Sequence, residues 1–160
     1  MRLNRARGFT LIELLVTLAI IATLSFLVVP VVQVTVQRSK EAELRSALKE
    51  IRQAIDAYKQ SSEAGEIMEP AGEISGYPPN LDVLADGVMF RDEKAKGKKY
   101  FLRKLPRDPM NANAELPAAD TWGKRSYESE AGEPREGADV YDVYSLSSKT
   151  GLNGIAYRWW

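Results

Sequence analysis

"FTLIELLVTLAIIATLSFLVVP", residues 9 to 30, is an apolar run broken by a single charge, Glu13. Carried on to Val32 it remains without a second charge. As an α-helix rising about 1.5 Å per residue it spans about 36 Å, more than the roughly 30 Å of a bilayer's hydrocarbon core. The segment is therefore long enough to cross a membrane. Arg2, Arg5 and Arg7 precede it, whereas the flank after it is mixed, with Arg38, Lys40, Glu41 and Glu43. Because cytoplasmic flanks carry the excess of Lys and Arg, this asymmetry places the N-terminus in the cytoplasm and everything after Val36 on the far side. A conventional cleaved secretory signal shares the basic start and the apolar stretch. However, no small-x-small site closes the run, and a carboxylate inside such a stretch is unusual. An uncleaved signal anchor fits the length and leaves Glu13 unexplained.

An ionised carboxylate costs roughly 2.5 to 3.5 kcal/mol at the centre of a bilayer and less near its interface, so Glu13 calls for a partner. A cut between Gly8 and Phe9 would supply one. The new α-amino group at Phe9 would lie four residues before Glu13, one helical turn or about 6 Å along the axis. It could pair with the carboxylate in the same chain or in a neighbour whose helix is displaced along a shared axis.

The basic leader, Gly8, and Phe9-Thr10-Leu11-Ile12-Glu13 with the apolar run behind them closely resemble the class III signal of type IV pilins and type II secretion pseudopilins. The resemblance implies that a membrane prepilin peptidase cleaves between Gly8 and Phe9 and methylates the Phe9 amine. It also implies that Glu13 neutralises the amine of an adjacent subunit during polymerisation. Pro30 matches the family's helix-perturbing proline, near which the helix is commonly loosened in filaments. A proline removes a backbone hydrogen bond and crowds the preceding turn.

Beyond Pro30 the pattern becomes one-sided. Leu44, Leu48, Ile51, Ile55 and Tyr58 recur at spacings of four and three with Ala47 and Ala54 beside them, which is an amphipathic helix stripe. One helix over residues 10–60 is expected, beginning in lipid and ending as the spine of a soluble domain. Glu41/Arg45 and Arg52/Asp56 are expected to pair on its solvated face. The Gly-, Ser-, Pro- and Glu-rich residues 61–80 read as a loop, and "NLDVLADGVMF" as a short helix with Asn80 as cap and Gly87 as stop. "KAKGKKYFLRKLPRDP", residues 94 to 109, interleaves bases with aromatics, as nucleic-acid or phospholipid surfaces do, but is read as a solvated face.

"KRSYESE" from Lys124, "DVYDVYSLS" from Asp139 and "GIAYRWW" from Gly154 alternate as strands do and are separated by turn-rich segments. Three strands of an antiparallel sheet are therefore expected. In the middle run, Val140, Asp142, Tyr144 and Leu146 face one way, and Tyr141, Val143 and Ser145 the other. The fold class is α+β: a long N-terminal helix, half transmembrane and half amphipathic, packed against a small C-terminal antiparallel sheet, in the type IV pilin-like manner.

This half resembles the major pseudopilin of type II secretion in Tyr77-Pro78-Pro79, Leu105-Pro106-Arg107-Asp108-Pro109, Trp122-Gly123 leading to Tyr127, and Tyr141-Asp142-Val143-Tyr144-Ser145-Leu146. Two departures stand out. Residues 110–121, "MNANAELPAADT", are inserted where those proteins run more directly into the Trp-Gly. The loop that in major pseudopilins carries calcium-binding aspartates is here "SSKTGLNG", residues 147 to 154. Calcium takes six to eight oxygens, usually with carboxylates among them, and Lys149 opposes it. The loop is expected to hold no metal and to be fixed by hydrogen bonds and by Trp159 and Trp160. Asp139 and Asp142 are weak metal candidates elsewhere.

Composition narrows the function further. Formal net charge is zero, although Lys and Arg outnumber Asp and Glu up to Gln60 and the balance reverses after it, so no overall basic field points to nucleic acid. Without Cys or His, thiol chemistry and the commonest general base are excluded. An enzyme would need an acidic pair such as Asp139 and Asp142, which three-residue spacing puts on opposite faces of a strand. No cofactor and no enzymatic activity are expected.

The resemblance implies a leader over residues 1–8, a transmembrane and polymerisation helix over 9–36 and a periplasmic headgroup over 37–160. It implies a subunit of the periplasmic pseudopilus of a type II secretion system, anchored by one pass in the bacterial inner membrane. Its partners would be further copies of itself, prepilin peptidase, the inner-membrane secretion platform, minor pseudopilins and the membrane, with no nucleic acid. The alternative is a minor or major pilin of a type IV pilus or DNA-uptake system.

Overall fold

The computed structural model describes residues 8–68, 75–92 and 94–160, so Arg2, Arg5 and Arg7 of the expected leader lie outside the described residues. Two compact units divide at Ser39/Lys40, and α1, Leu11–Glu63, supplies all the regular structure described in the first. The helix continues through Pro30 and runs three residues into the stretch read as loop. In the first unit every described side chain over 9–26 and 31–36 is exposed, Phe9, Leu11 and Phe26 at 78 to 85%. A leucine- and valine-rich helix exposed on all sides is stable only in an apolar surrounding. This helix is long and apolar enough to cross a membrane.

In the second unit the stripe does what its spacing requires. Leu44, Ala47, Leu48, Ile51, Ala54, Ile55 and Tyr58 are all buried, and Trp122, Val143 and Tyr157 join them in one core. At about 1.5 to 3 kcal/mol for each fully buried large side chain, this contact dominates the stability of the unit.

The short helix α2 covers Asp82–Asp86, with Leu84 buried. Asn80 Oδ1 accepts from the Val83 N–H at 3.1 Å, so the expected cap acts from just ahead of the helix. Gly87 stops it at φ +76°, a left-handed conformation that glycine adopts without strain. Two strands that the sequence reading did not anticipate follow: β1, Val88–Met89, pairs antiparallel with β2, Lys98–Lys99. They bring part of the basic stretch against the preceding segments, where Lys99 Nζ meets Glu66 Oε2 at 2.6 Å and Lys98 Nζ donates to the Asp86 carbonyl.

Only two of the three expected C-terminal strands form. β3, Trp122–Arg125, pairs antiparallel with β4, Asp142–Ser145, with Gly123 opposite Tyr144. A Cβ at Gly123 would sit 2.4 Å from the Tyr144 ring, so the Trp-Gly pair is a packing requirement: indole inward, bare backbone under the facing tyrosine. Alternation in β4 follows expectation, Val143 and Ser145 being fully buried and Asp142 and Tyr144 half-buried.

"KRSYESE" contributes only Lys124 and Arg125 to a strand. From Ser126 its backbone bonds locally: the Ser126 N–H donates to the Arg135 carbonyl and the Tyr127 N–H to Asp139 Oδ1, which closes a turn. "GIAYRWW" is not a strand. It makes one bridge, Ala156 to Thr150, and then a 3-10 turn over Tyr157–Trp159. In a 3-10 turn residues three apart eclipse, and Tyr157 and Trp160 accordingly meet edge to face at 5.1 Å. A strand would have put them on opposite faces.

The expected Arg52/Asp56 pair on α1 is also replaced. Arg52 Nε meets Asp142 Oδ1 at 2.8 Å, and Nη2 donates to the carbonyls of Val143 and Trp160. A rigid guanidinium fork that ties helix, β4 and C-terminal segment together outcompetes a solvated pair with Asp56. The inserted segment is ordered in a similar way. Arg107 donates to the carbonyls of Leu116 and Asn113, and residues Ala118–Thr121 form a 3-10 turn leading into β3. Asp108, only 2% exposed, accepts from Ser145 Oγ at 2.5 Å and from the Met110 N–H at 2.8 Å.

Tyr77, of the Tyr-Pro-Pro element, stacks on Tyr127 and meets Tyr141 edge-on, with Lys59 Nζ 5.1 Å from its ring centre. Burial, then the neighbouring Tyr141, push its phenol above the ordinary value, against a downward pull from Lys59. A phenol harder to ionise when folded than when unfolded favours folding fully below its unfolded pKa of about 10, and that contribution is lost as pH rises through the folded value. Melting temperature is therefore expected to fall more steeply above about pH 10 than in a Tyr77→Phe variant. Parallel curves would contradict this.

Candidate functional site: the N-terminal motif and the clamped loop

Gly8, Phe9 and Thr10 precede α1 in exposed chain without regular secondary structure. Thr10 then starts the helix: its carbonyl accepts the Leu14 N–H at 3.2 Å, and its Oγ1 accepts the Glu13 N–H at 3.3 Å. Thr10-Leu11-Ile12-Glu13 is a Thr-x-x-Glu capping pattern, legible in the sequence although the reading from charge alone passed over it. The cap leaves Phe9 just outside the first turn while Glu13 lies within it. Among the described residues no cation lies within ion-pair distance of Glu13, and its side chain is exposed. A helix N-terminus favours a carboxylate by some tenths of a kcal/mol, much less than immersion in lipid costs. The helix terminus stabilises the acid, and no described residue neutralises it. A cut before Phe9 would put an ammonium group immediately ahead of the cap.

The second site is one the sequence reading missed. Glu41, only 4% exposed, stands three residues before Leu44 in the same helical register as the apolar stripe. Its Oε1 accepts the Leu152 N–H at 2.8 Å and the Tyr157 hydroxyl at 2.9 Å. The signal was there: a glutamate at the next position of a buried stripe. Within the loop, the Gly151 N–H donates to the Ile155 carbonyl, the Gly154 N–H to the Gly151 carbonyl and the Tyr157 N–H to the Lys149 carbonyl. Trp160 lies against Gly151. Trp159 is 52% exposed and does not hold the loop, contrary to expectation; Glu41 takes that part.

Asp139 and Asp142 are both engaged. Buried Asp139 accepts the Tyr127 N–H at 2.9 Å, and Asp142 lies between Arg52 and Arg125, 2.8 Å and 3.7 Å away. Residues 147–154 contain no Asp or Glu, and the neighbouring Glu41 carboxylate is engaged by the Leu152 N–H and the Tyr157 hydroxyl. Adding calcium or a chelator is therefore expected to leave the melting temperature unchanged. A clear calcium-dependent rise would overturn that expectation.

The family profile described as the prokaryotic N-terminal methylation motif matches residues 3–29. The chain thus carries the class III signal of type IV pilin-like proteins, and the matched residues include Gly8, Phe9, Thr10 and Glu13. This motif marks structural proteins that prepilin peptidase processes and that polymerise into filaments. No curated protein and no solved structure matches the chain.

Proposed function

We propose that this protein is a filament subunit. Prepilin peptidase cuts between Gly8 and Phe9 and methylates the new amine. The 9–36 helix holds the chain in the bacterial inner membrane with residues 37–160 in the periplasm, and Glu13 recruits the methylated amine of a neighbour as copies leave the membrane. The product is the periplasmic pseudopilus of a type II secretion system, built with minor pseudopilins on the inner-membrane platform. One observation carries this reading: a carboxylate with no ion-pair partner among the described residues, in the first turn of an exposed apolar helix, four residues after the site of the new amine and inside the matched methylation motif.

The physical rationale is that bundled helices exchange lipid contacts for helix contacts, while the Glu13–amine pair offsets the acid's desolvation and sets the stagger. Pro30 would let the helix loosen within such a bundle. Asp139 and Asp142 are engaged within the headgroup and leave no free acidic pair there for catalysis. Deleting the gene tests the product. Loss of protein export with surface pili retained is expected, whereas intact export with lost pili or DNA uptake would assign the subunit to a type IV pilus.

A further inference from the structure

A surface not used by that reading lies beside the C-terminal segment. An open cleft of about 450 Å³ runs between one face of α1, with Arg45, Lys49 and Gln53, and Ile155, Trp159 and Trp160. Its lining joins two indoles, Trp159 and Trp160, with the bases Arg45, Lys49 and Arg52. The Arg45 guanidinium stacks 4.4 Å from the Trp160 ring centre and that of Arg158 4.7 Å from the Trp159 ring centre. Trp159 and Ile155 are half-exposed, and among the described residues Lys49 has no ion-pair partner. Arg52 is already engaged by Asp142, and Asp56 is the acid in the lining.

The same unit exposes a surface of opposite character. The turn over residues 126–137 presents Glu128, Glu130, Glu133 and Glu136 with one base, Arg135, which pairs with Glu133 at 2.6 Å. The other three glutamates have no ion-pair partner among the described residues. Ala131 and Pro134 give this turn an apolar complement to the indoles. Each surface carries what the other lacks, and among the described residues their surplus charges are not paired with each other.

We infer that the cleft receives the 126–137 turn of a second copy of this chain. Because cleft and turn are different surfaces, the contact is heterologous: every copy offers one of each, and the contact propagates from copy to copy. It would link headgroups in a filament whose helices are joined through Glu13, and in this it rests on the filament reading. Charge steers the docking and fixes its register, while the exposed indoles supply apolar area.

The absence of native cysteine makes the test direct. Gln53→Cys places a thiol at the cleft and Gly132→Cys one at the turn, where a Cβ meets nothing within 4 Å. In membranes carrying the full processed chain, mild oxidation of the double variant is expected to give a ladder of trimers and larger multimers. Either single variant would stop at dimers. Lys49→Glu in the double-cysteine background is expected to lower the ladder about tenfold with melting temperature unchanged, and salt raised from 0.1 to 1 M, which shortens screening from about 10 to about 3 Å, should lower it several-fold.

Filaments without a ladder overturn the contact and keep the filament reading. A ladder without filaments by microscopy supports the contact and removes that reading. Neither ladder nor filaments overturns both. A single-stranded oligonucleotide that shields the Gln53→Cys thiol while no ladder forms would show the cleft to be a nucleic-acid surface instead and overturn the proposal.

Discussion

Glu13→Ala or Glu13→Val is expected to leave membrane insertion intact and to cut filament yield by about tenfold or more, since each 1.4 kcal/mol of lost pairing is a factor of ten. Insertion should not suffer, because removing a charge from an apolar helix favours the lipid phase. Assembly should, because the neighbour's amine would then be buried without a counter-charge. Glu13 also occupies the third position of the Thr10 cap, so loss of the cap is a competing explanation. Glu13→Gln separates the two. Glutamine at that position preserves the capping pattern but carries no charge, so it is expected to fail as alanine does. A glutamine variant that assembles normally, by cross-linking or microscopy, would reduce Glu13 to a capping residue.

The second large effect is expected at Glu41. Its carboxylate holds the Leu152 N–H and the Tyr157 hydroxyl at a site almost closed to solvent. Truncation removes the acceptor from both donors, at about 1 to 3 kcal/mol each, with some relief where water enters. Glu41→Ala is expected to destabilise the protein by about 3 kcal/mol, roughly 10 °C in melting temperature for a unit of this size. Glu41→Gln keeps an amide oxygen with two lone pairs and should lose less. Thermal unfolding of the full chain in detergent measures both. An alanine variant within about 0.5 kcal/mol of the parent would show that the loop is held by its own hydrogen bonds.

The two sites differ in how much of them the sequence revealed. The long helix and its buried face were legible because both signals are local and periodic: an uninterrupted apolar run, then apolar residues every three or four positions. Glu13 was legible as a charge out of place, although the cap beneath it was not noticed. Glu41 was missed because it was assigned by its chemistry to the solvated face, whereas its register with Leu44 put it inward. The last expected strand failed for another reason. Alternation in "GIAYRWW" competed with the need to bring Tyr157 to Glu41 and Trp160 onto Gly151 from one side, and a 3-10 turn meets that need. β1 and β2, two residues each, are too short to show a period. Arg52's fork could not be anticipated either, since its partners lie about ninety or more positions further along the chain.

All of the assembly chemistry depends on one covalent event at the start of the chain. Intact mass and N-terminal fragmentation of the protein recovered from its native membrane should show a chain that begins at Phe9 with a methylated α-amine. A chain that still carries residues 1–8 would leave Glu13 without its cation and contradict the filament reading at its root.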